Sequence, residues 1–191
     1  MLKKTVVLVS ALLMIALPVT SAAKKSKGGF KACYSYSCSR AATVKLSRSQ
    51  WRKVRKFFIP RAKNPAIERQ RISKAIGLME TYVGKKTGTS ADKGRNRATG
   101  EFGQLDCIAE STNTTTYLKL FEKKRWLKWH KVKARAKRRP FIFDTHWSAV
   151  IQEKKKGGKL YVVDSWFRDN GKPAHIQLLR DWKSKRNDPK S

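Results

Sequence analysis

The chain has 191 residues, and its 45 Lys or Arg against 13 Asp or Glu give a formal charge of +32. That length suits one domain with room for a core rather than several domains. A field of that size favours anionic partners and disfavours cationic ones. Residues 1–23 have the pattern of an export signal. Lys3 and Lys4 form a positive start, Thr5 to Val19 is an almost apolar run of 15 residues closed by Pro18, and Ser21-Ala22-Ala23 offers small residues for cleavage. A run of that length falls short of the roughly 20 residues that a membrane span needs, and no second apolar run is long enough. The expectation is an exported protein, periplasmic or extracellular, that is not integral to a membrane after cleavage. Removing residues 1–23 takes away Lys3, Lys4 and no acid, which lowers the charge by two to +30. For an exported polycation, anionic lipid, lipopolysaccharide or an acidic wall polymer ranks ahead of nucleic acid as the anionic partner.

Export changes what the cysteines mean, because paired thiols tend to oxidise outside the cytosol. In segment 24–48, a basic start with Gly28-Gly29 leads to Cys33 and Cys38, five positions apart and close enough for a small disulfide loop. Cys107 is then the odd one: an intermolecular link, a reactive thiol or a buried small hydrophobe. A zinc site fits poorly, since Cys33-x4-Cys38 with a distant His lacks paired ligand spacing. No metal or cofactor is implied.

Residues 49–191 read as a single domain. Ser49 caps a first helix whose apolar face is Trp51, Val54, Phe57 and Phe58, and Pro60 stops it. Asn64-Pro65 is an N-cap followed by Pro at the first helical position. A stripe through Ile67, Ala75, Ile76, Met79, Tyr82 and Val83 carries this second helix to Gly84. Residues 85–103 are a glycine-punctuated loop. A third helix starts at Cys107 with Asp106 as cap, and Ser111, Thr114, Leu118 and Phe121 share the face of Cys107. The Thr-rich stretch that follows has low helix propensity, so this helix must rely on packing.

Residues 123–139 hold ten Lys or Arg and no acid, interleaved with Trp126 and Trp129. Two readings stand side by side: a surface for nucleic acid or membrane, or a solvated helix end and linker whose Trp pair packs on the body. His130 reads as a surface residue. Phe141 to Glu153 alternates as a strand, Lys154 to Gly158 is a turn, and Lys159 to Asp164 is the returning strand. With Glu153 opposite Lys159, paired positions sum to 312, and His146 lies diagonal to Asp164 on one face, within hydrogen-bond reach. A one-residue slip would part them. Beyond Ser165-Trp166-Phe167 and the turn at 169–173, a short strand or helix spans Ile176–Trp182. No internal repeat is present.

Cys107 at a helix start, His146 on a strand and Asp164 on the next form a thiol-enzyme arrangement. A helix N-terminus and a neighbouring imidazolium favour thiolate. His146 would take and return a proton, and Asp164 would orient its ring. The Cys107 amide would stabilise an oxyanion, with Gln104 or Trp166 as further donors. Asp-Cys at a helix start, His-aromatic on a strand and Asp on its neighbour resemble the transglutaminase-like branch of the papain-type fold, over roughly residues 101–168. That branch includes transglutaminases, transglutaminase-like cysteine proteinases and arylamine N-acetyltransferases. The resemblance implies an α+β fold, with N-terminal helices and a Cys-bearing helix packed on a small antiparallel sheet. It also implies a Cys107, His146, Asp164 triad acting on amide or peptide bonds through a thioester, as cysteine protease, other hydrolase or acyltransferase. The substrate would be a protein, a peptide or a wall peptide. The NlpC/P60 wall peptidases are the nearest rival, but their third residue is commonly a His on the next strand, where this chain has Asp164, and His175 lies beyond a turn. The reading from another class is a non-catalytic basic protein that binds anionic envelope surfaces.

Overall fold

Two short strands, β1 (Phe30–Cys33) and β2 (Ala41–Val44), pair antiparallel and open the part of the chain that the computed structural model describes, residues 29–96, 101–139 and 145–189. The export signal read at 1–23 lies outside those residues, as do positions 141–144 of the strand expected from Phe141. Between β1 and β2, a 3₁₀ turn at Tyr36–Cys38 is tied to the hairpin by the Cys33–Cys38 disulfide. Strand pairing here adds to the disulfide-tied loop expected from the sequence.

Three helices follow, each with its own stop and start chemistry. Helix α1 (Arg48–Lys56) is capped by Ser47, not Ser49. Gln50 lies three residues on from Ser47 and closes a reciprocal pair of bonds: the Gln50 amide donates to Ser47 Oγ at 3.1 Å, and the Ser47 amide donates to Gln50 Oε1 at 2.8 Å. Helix α2 (Pro65–Thr87) begins as expected, with Asn64 Oδ1 accepting the Ile67 amide at 2.9 Å. It runs a turn past Gly84 and ends where Gly88 adopts φ +82°. Helix α3 (Cys107–Lys123) starts at Asp106, as the sequence predicts. Its threonines fold their hydroxyls back onto the helix, Thr112 onto the Ile108 carbonyl, Thr115 onto Ser111 and Thr116 onto Thr112. The stability that propensity withholds comes from packing, with Tyr117, Leu118 and Phe121 fully buried.

A four-stranded antiparallel meander, β3 (His130–Arg138), β4 (His146–Glu153), β5 (Leu160–Asp164) and β6 (His175–Leu178), completes the mixed α+β fold, with α4 (Leu179–Lys183) closing it. The β4–β5 register pairs Ala149 with Val163 and Val150 with Val162, the sum of 312 expected from the turn. Both sheet faces are covered. Ala149, Ile151, Tyr161 and Val163 join the main core with α2 and α3, while Val150 and Val162 pack with Trp166, Phe167 and Trp182.

The basic stretch 123–139 is neither wholly linker nor helix end, because from His130 it forms the edge strand β3. His130 is buried rather than exposed, at 0%. Glu68 of α2 explains both facts. Its carboxylate accepts the amides of Lys128, Trp129 and His130 and the Nδ1 of His130, all within 2.9 Å. Trp126 packs on the body against Phe121, Phe58 and Trp51. Among the described residues, no helix is long and apolar enough to cross a membrane.

Candidate active site

The first turn of α3 is built by Asp106 with both of its oxygens. Oδ1 accepts the Ala109 amide at 2.9 Å and so caps the helix. Oδ2 accepts the amide and hydroxyl of Ser37 at 2.9 and 3.2 Å. The disulfide loop is thereby docked beside Cys107. The Asn113 side chain fixes its other end, accepting from the Cys33 amide at 2.7 Å and donating to the Cys33 carbonyl at 2.9 Å. The pair Cys33–Cys38 therefore shapes the wall of the site and does more than tie a terminal segment.

Cys107 is half-buried, with its sulfur 4.0 Å from the Thr145 carbonyl oxygen. His146 is the next residue, buried at the start of β4. Its Nε2 shares a hydrogen bond of 2.7 Å with Asp164 Oδ2, and the same oxygen accepts Trp182 Nε1 at 2.8 Å. Rings of Trp166, Phe167 and Trp182 surround the imidazole at centroid distances of 4.6, 5.4 and 5.5 Å. Burial by itself lowers the pKa of such a ring. The adjacent Asp164 carboxylate outweighs it by charge and hydrogen bond, Cys107 adds to the effect, and His146 is pushed up to about 9. The imidazole is therefore charged at neutral pH. With Nε2 committed to Asp164, Nδ1 is the nitrogen left for the sulfur, and it is buried without a well-formed hydrogen bond of its own.

Cys107 and His146 line a cleft of about 570 Å³ together with Tyr36, Ser37 and Trp166. The two further donor candidates lie close by and are engaged. The Gln104 side-chain oxygen accepts the Lys93 amide at 3.0 Å and an Asn96 amide, and its nitrogen donates to the Ala91 carbonyl at 3.0 Å. Trp166 lines the cleft, and its Nε1 donates to the Asn96 carbonyl at 3.1 Å. Both side chains thus hold the 91–96 loop against the site. His175 sits opposite Asp164 in the β5–β6 ladder, and burial lowers its pKa, so the third position beside His146 is occupied by a carboxylate.

Sequence reasoning missed three features around this site. Trp182 comes from a five-residue helix with no periodic signal, and only the packed sheet brings its indole to Asp164. Arg138 enters the cleft because β3 carries a bulge between Lys133 and Ala136, which shifts its register and sets Arg138 opposite His146. A buried cluster of acids lies behind α3. Ser165 donates to Glu110 at 2.5 Å and shares a 2.9 Å bond with Thr114. Glu110, Glu80 and Asp92 influence one another there, and burial raises Glu80 and Glu110 to about 8 and Asp92 to about 9. No family model matches the chain, and neither a curated protein nor a solved structure matches it.

Proposed function

We propose that the protein is a thiol enzyme that transfers acyl groups from amide or peptide bonds through a thioester on Cys107, in the manner of the transglutaminase-like branch of the papain-type fold. The observation that carries this reading is the His146 imidazole, pinned by Asp164 on one nitrogen and with its other nitrogen unbonded, in the cleft it shares with Cys107 at a helix start. An imidazolium there favours thiolate and stores the proton that the leaving group needs. The sulfur attacks the amide carbon and the carbonyl oxygen becomes an oxyanion facing the Cys107 amide. The C–N bond then breaks as His146 Nδ1 gives its proton to the departing amine. Water or a second amine next attacks the thioester, returns a proton to His146 and releases the sulfur. Asp164, itself held by Trp182, keeps the ring in one orientation throughout. An exported location would suit the disulfide and would put peptides or wall peptides within reach as substrates.

The experiment is alkylation of the native protein by iodoacetamide, with the modified cysteine identified by mass spectrometry at about pH 6, where an ordinary thiol is inert. Cys107 is expected to react rapidly and Cys33 and Cys38 not at all. A Cys107 that reacts only after denaturation overturns the reading. Docking of the same protein on anionic surfaces is a second reading, supported by the charge of +32 and by the exposed Lys131, Lys133 and Lys137 along β3. It is compatible with the first, because a basic exterior would concentrate an enzyme on an acidic polymer.

A further inference from the structure

The cleft beside Cys107 also contains Arg95, Arg138 and Lys185, which the acyl-transfer steps do not use. The general basicity of the exterior does not account for Arg138, which is only 6% exposed. Its guanidinium closes on the Asp188 carboxylate as a two-point fork, Nη1 to Oδ1 at 3.0 Å and Nη2 to Oδ2 at 2.6 Å. That is the geometry by which arginine selects planar carboxylates. Nη1 donates as well to the Trp182 carbonyl, Nε is buried without a partner, and the guanidinium lies 4.7 Å over the Trp182 ring. The Arg138 fork is therefore fixed on the residue that holds Asp164.

Asp188 is the less anchored half of the pair. It arrives on the segment after α4, where Ser184, Arg186 and Asn187 are exposed. Its side chain is 19% exposed against 5% for Arg138, and Gln177 Nε2 adds one bond at 2.8 Å. Arg95 donates to the carbonyl of the next residue, Pro189. An acidic residue of the chain thus lies in the cleft, its carboxylate on one arginine and its neighbouring backbone on another.

We propose that Arg138 and Arg95 form a carboxylate subsite beside Cys107, that Asp188 is its resting occupant, and that the acyl donor is an acidic peptide whose carboxylate takes the place of Asp188. The inference rests on the thiol reading above. A buried guanidinium stripped of its partner is costly, so a donor that displaces Asp188 without replacing its charge is rejected, while an acidic donor restores the fork.

Glutarate, with its neutral isostere glutaramide as control, probes the subsite in the full chain at physiological ionic strength, where non-specific attraction is screened. Calorimetric titration is expected to find one glutarate bound to Asp188→Asn, about tenfold or more tighter than to the unsubstituted protein, where Asp188 competes. Glutaramide should not bind, and Arg95→Gln in the Asp188→Asn background should weaken glutarate. Bound glutarate should protect Cys107 from iodoacetamide. Equal affinity for glutarate in both proteins, or none in either, overturns the subsite whatever Cys107 does. Glutarate binding to a protein whose Cys107 is inert to iodoacetamide even without glutarate overturns the thiol reading and leaves the carboxylate site standing.

Discussion

Asp164 carries two hydrogen bonds on one oxygen, from His146 Nε2 and Trp182 Nε1, so one atom sets both the charge and the orientation of the imidazole. Asp164→Asn keeps the shape and removes the charge. Burial, which opposes protonation of His146, is then countered only by Cys107. The His146 pKa is expected to fall well below about 9. Alkylation of Cys107 at about pH 6 should slow by tenfold or more, with the loss shrinking as pH rises and thiolate forms unaided. A pH profile of the modification rate checks this, and a profile unchanged in shape would mean that Asp164 does not govern the ring. The approach of His146 to Asp164 was legible in the sequence because it depends on local facts, alternation along two strands and a short turn that fixes their register. Trp182 was not legible. Its indole meets Asp164 only after α4 has packed on the sheet, and nothing in the sequence near residue 182 refers to residue 164.

At the scale of the elements, the same contrast separates α2 and α3 from β3. Asn64-Pro65 and Asp106 announce helix starts because a cap is a bond between near neighbours. Ser47 shows the limit of that reasoning, since two serines compete and Gln50, three residues after Ser47, decides between them. Strand β3 hides because an edge strand with one open side tolerates Lys and Arg along its length, so its composition resembles that of a solvated linker. Its start is specified instead by Glu68, some 60 positions earlier, which accepts three consecutive backbone amides and the His130 ring. Glu68→Ala would leave those buried donors without an acceptor and should cost about 3–5 kcal/mol in chemical denaturation. Glu68→Gln, which retains an acceptor oxygen, should cost less. Equal losses for the two substitutions would show that packing, and not acceptance of the amides, holds β3 to α2.

Across the whole molecule, the charges are sorted by depth. Of the 13 acids, Glu68, Glu80, Asp92, Glu110, Glu153 and Asp164 are buried, which leaves the exterior still more cationic than the net charge suggests. The sorting makes stability depend on pH in a definite direction. Glu80 and Glu110 have ordinary values of 4.5 and sit at about 8 in the fold, and Asp92 goes from 3.8 to about 9. Between those limits the folded chain holds protons that the unfolded chain has released. Stability therefore falls as pH rises, by about 1.4 kcal/mol per pH unit for each proton held. His146 adds in the same sense, its contribution being complete below 6.5 and lost as pH climbs through about 9. Glu68 and Glu153 act oppositely, since their pKa values are lowered in the fold and their contribution disappears only as pH drops below 4.5. Maximum stability is thus expected near pH 4.5, with a steady decline toward pH 9. Thermal melts across that range read the slope directly. Glu110 lies between Glu80 and Asp92, so Glu110→Gln removes one titrating group and the charge that disfavours ionisation of Asp92. Its decline from pH 6.5 to 9 should be shallower than that of the unsubstituted chain, and its stability at pH 8 higher. A variant that declines just as steeply would show that the three acids ionise within the fold without penalty, and would leave His146 as the source of the slope.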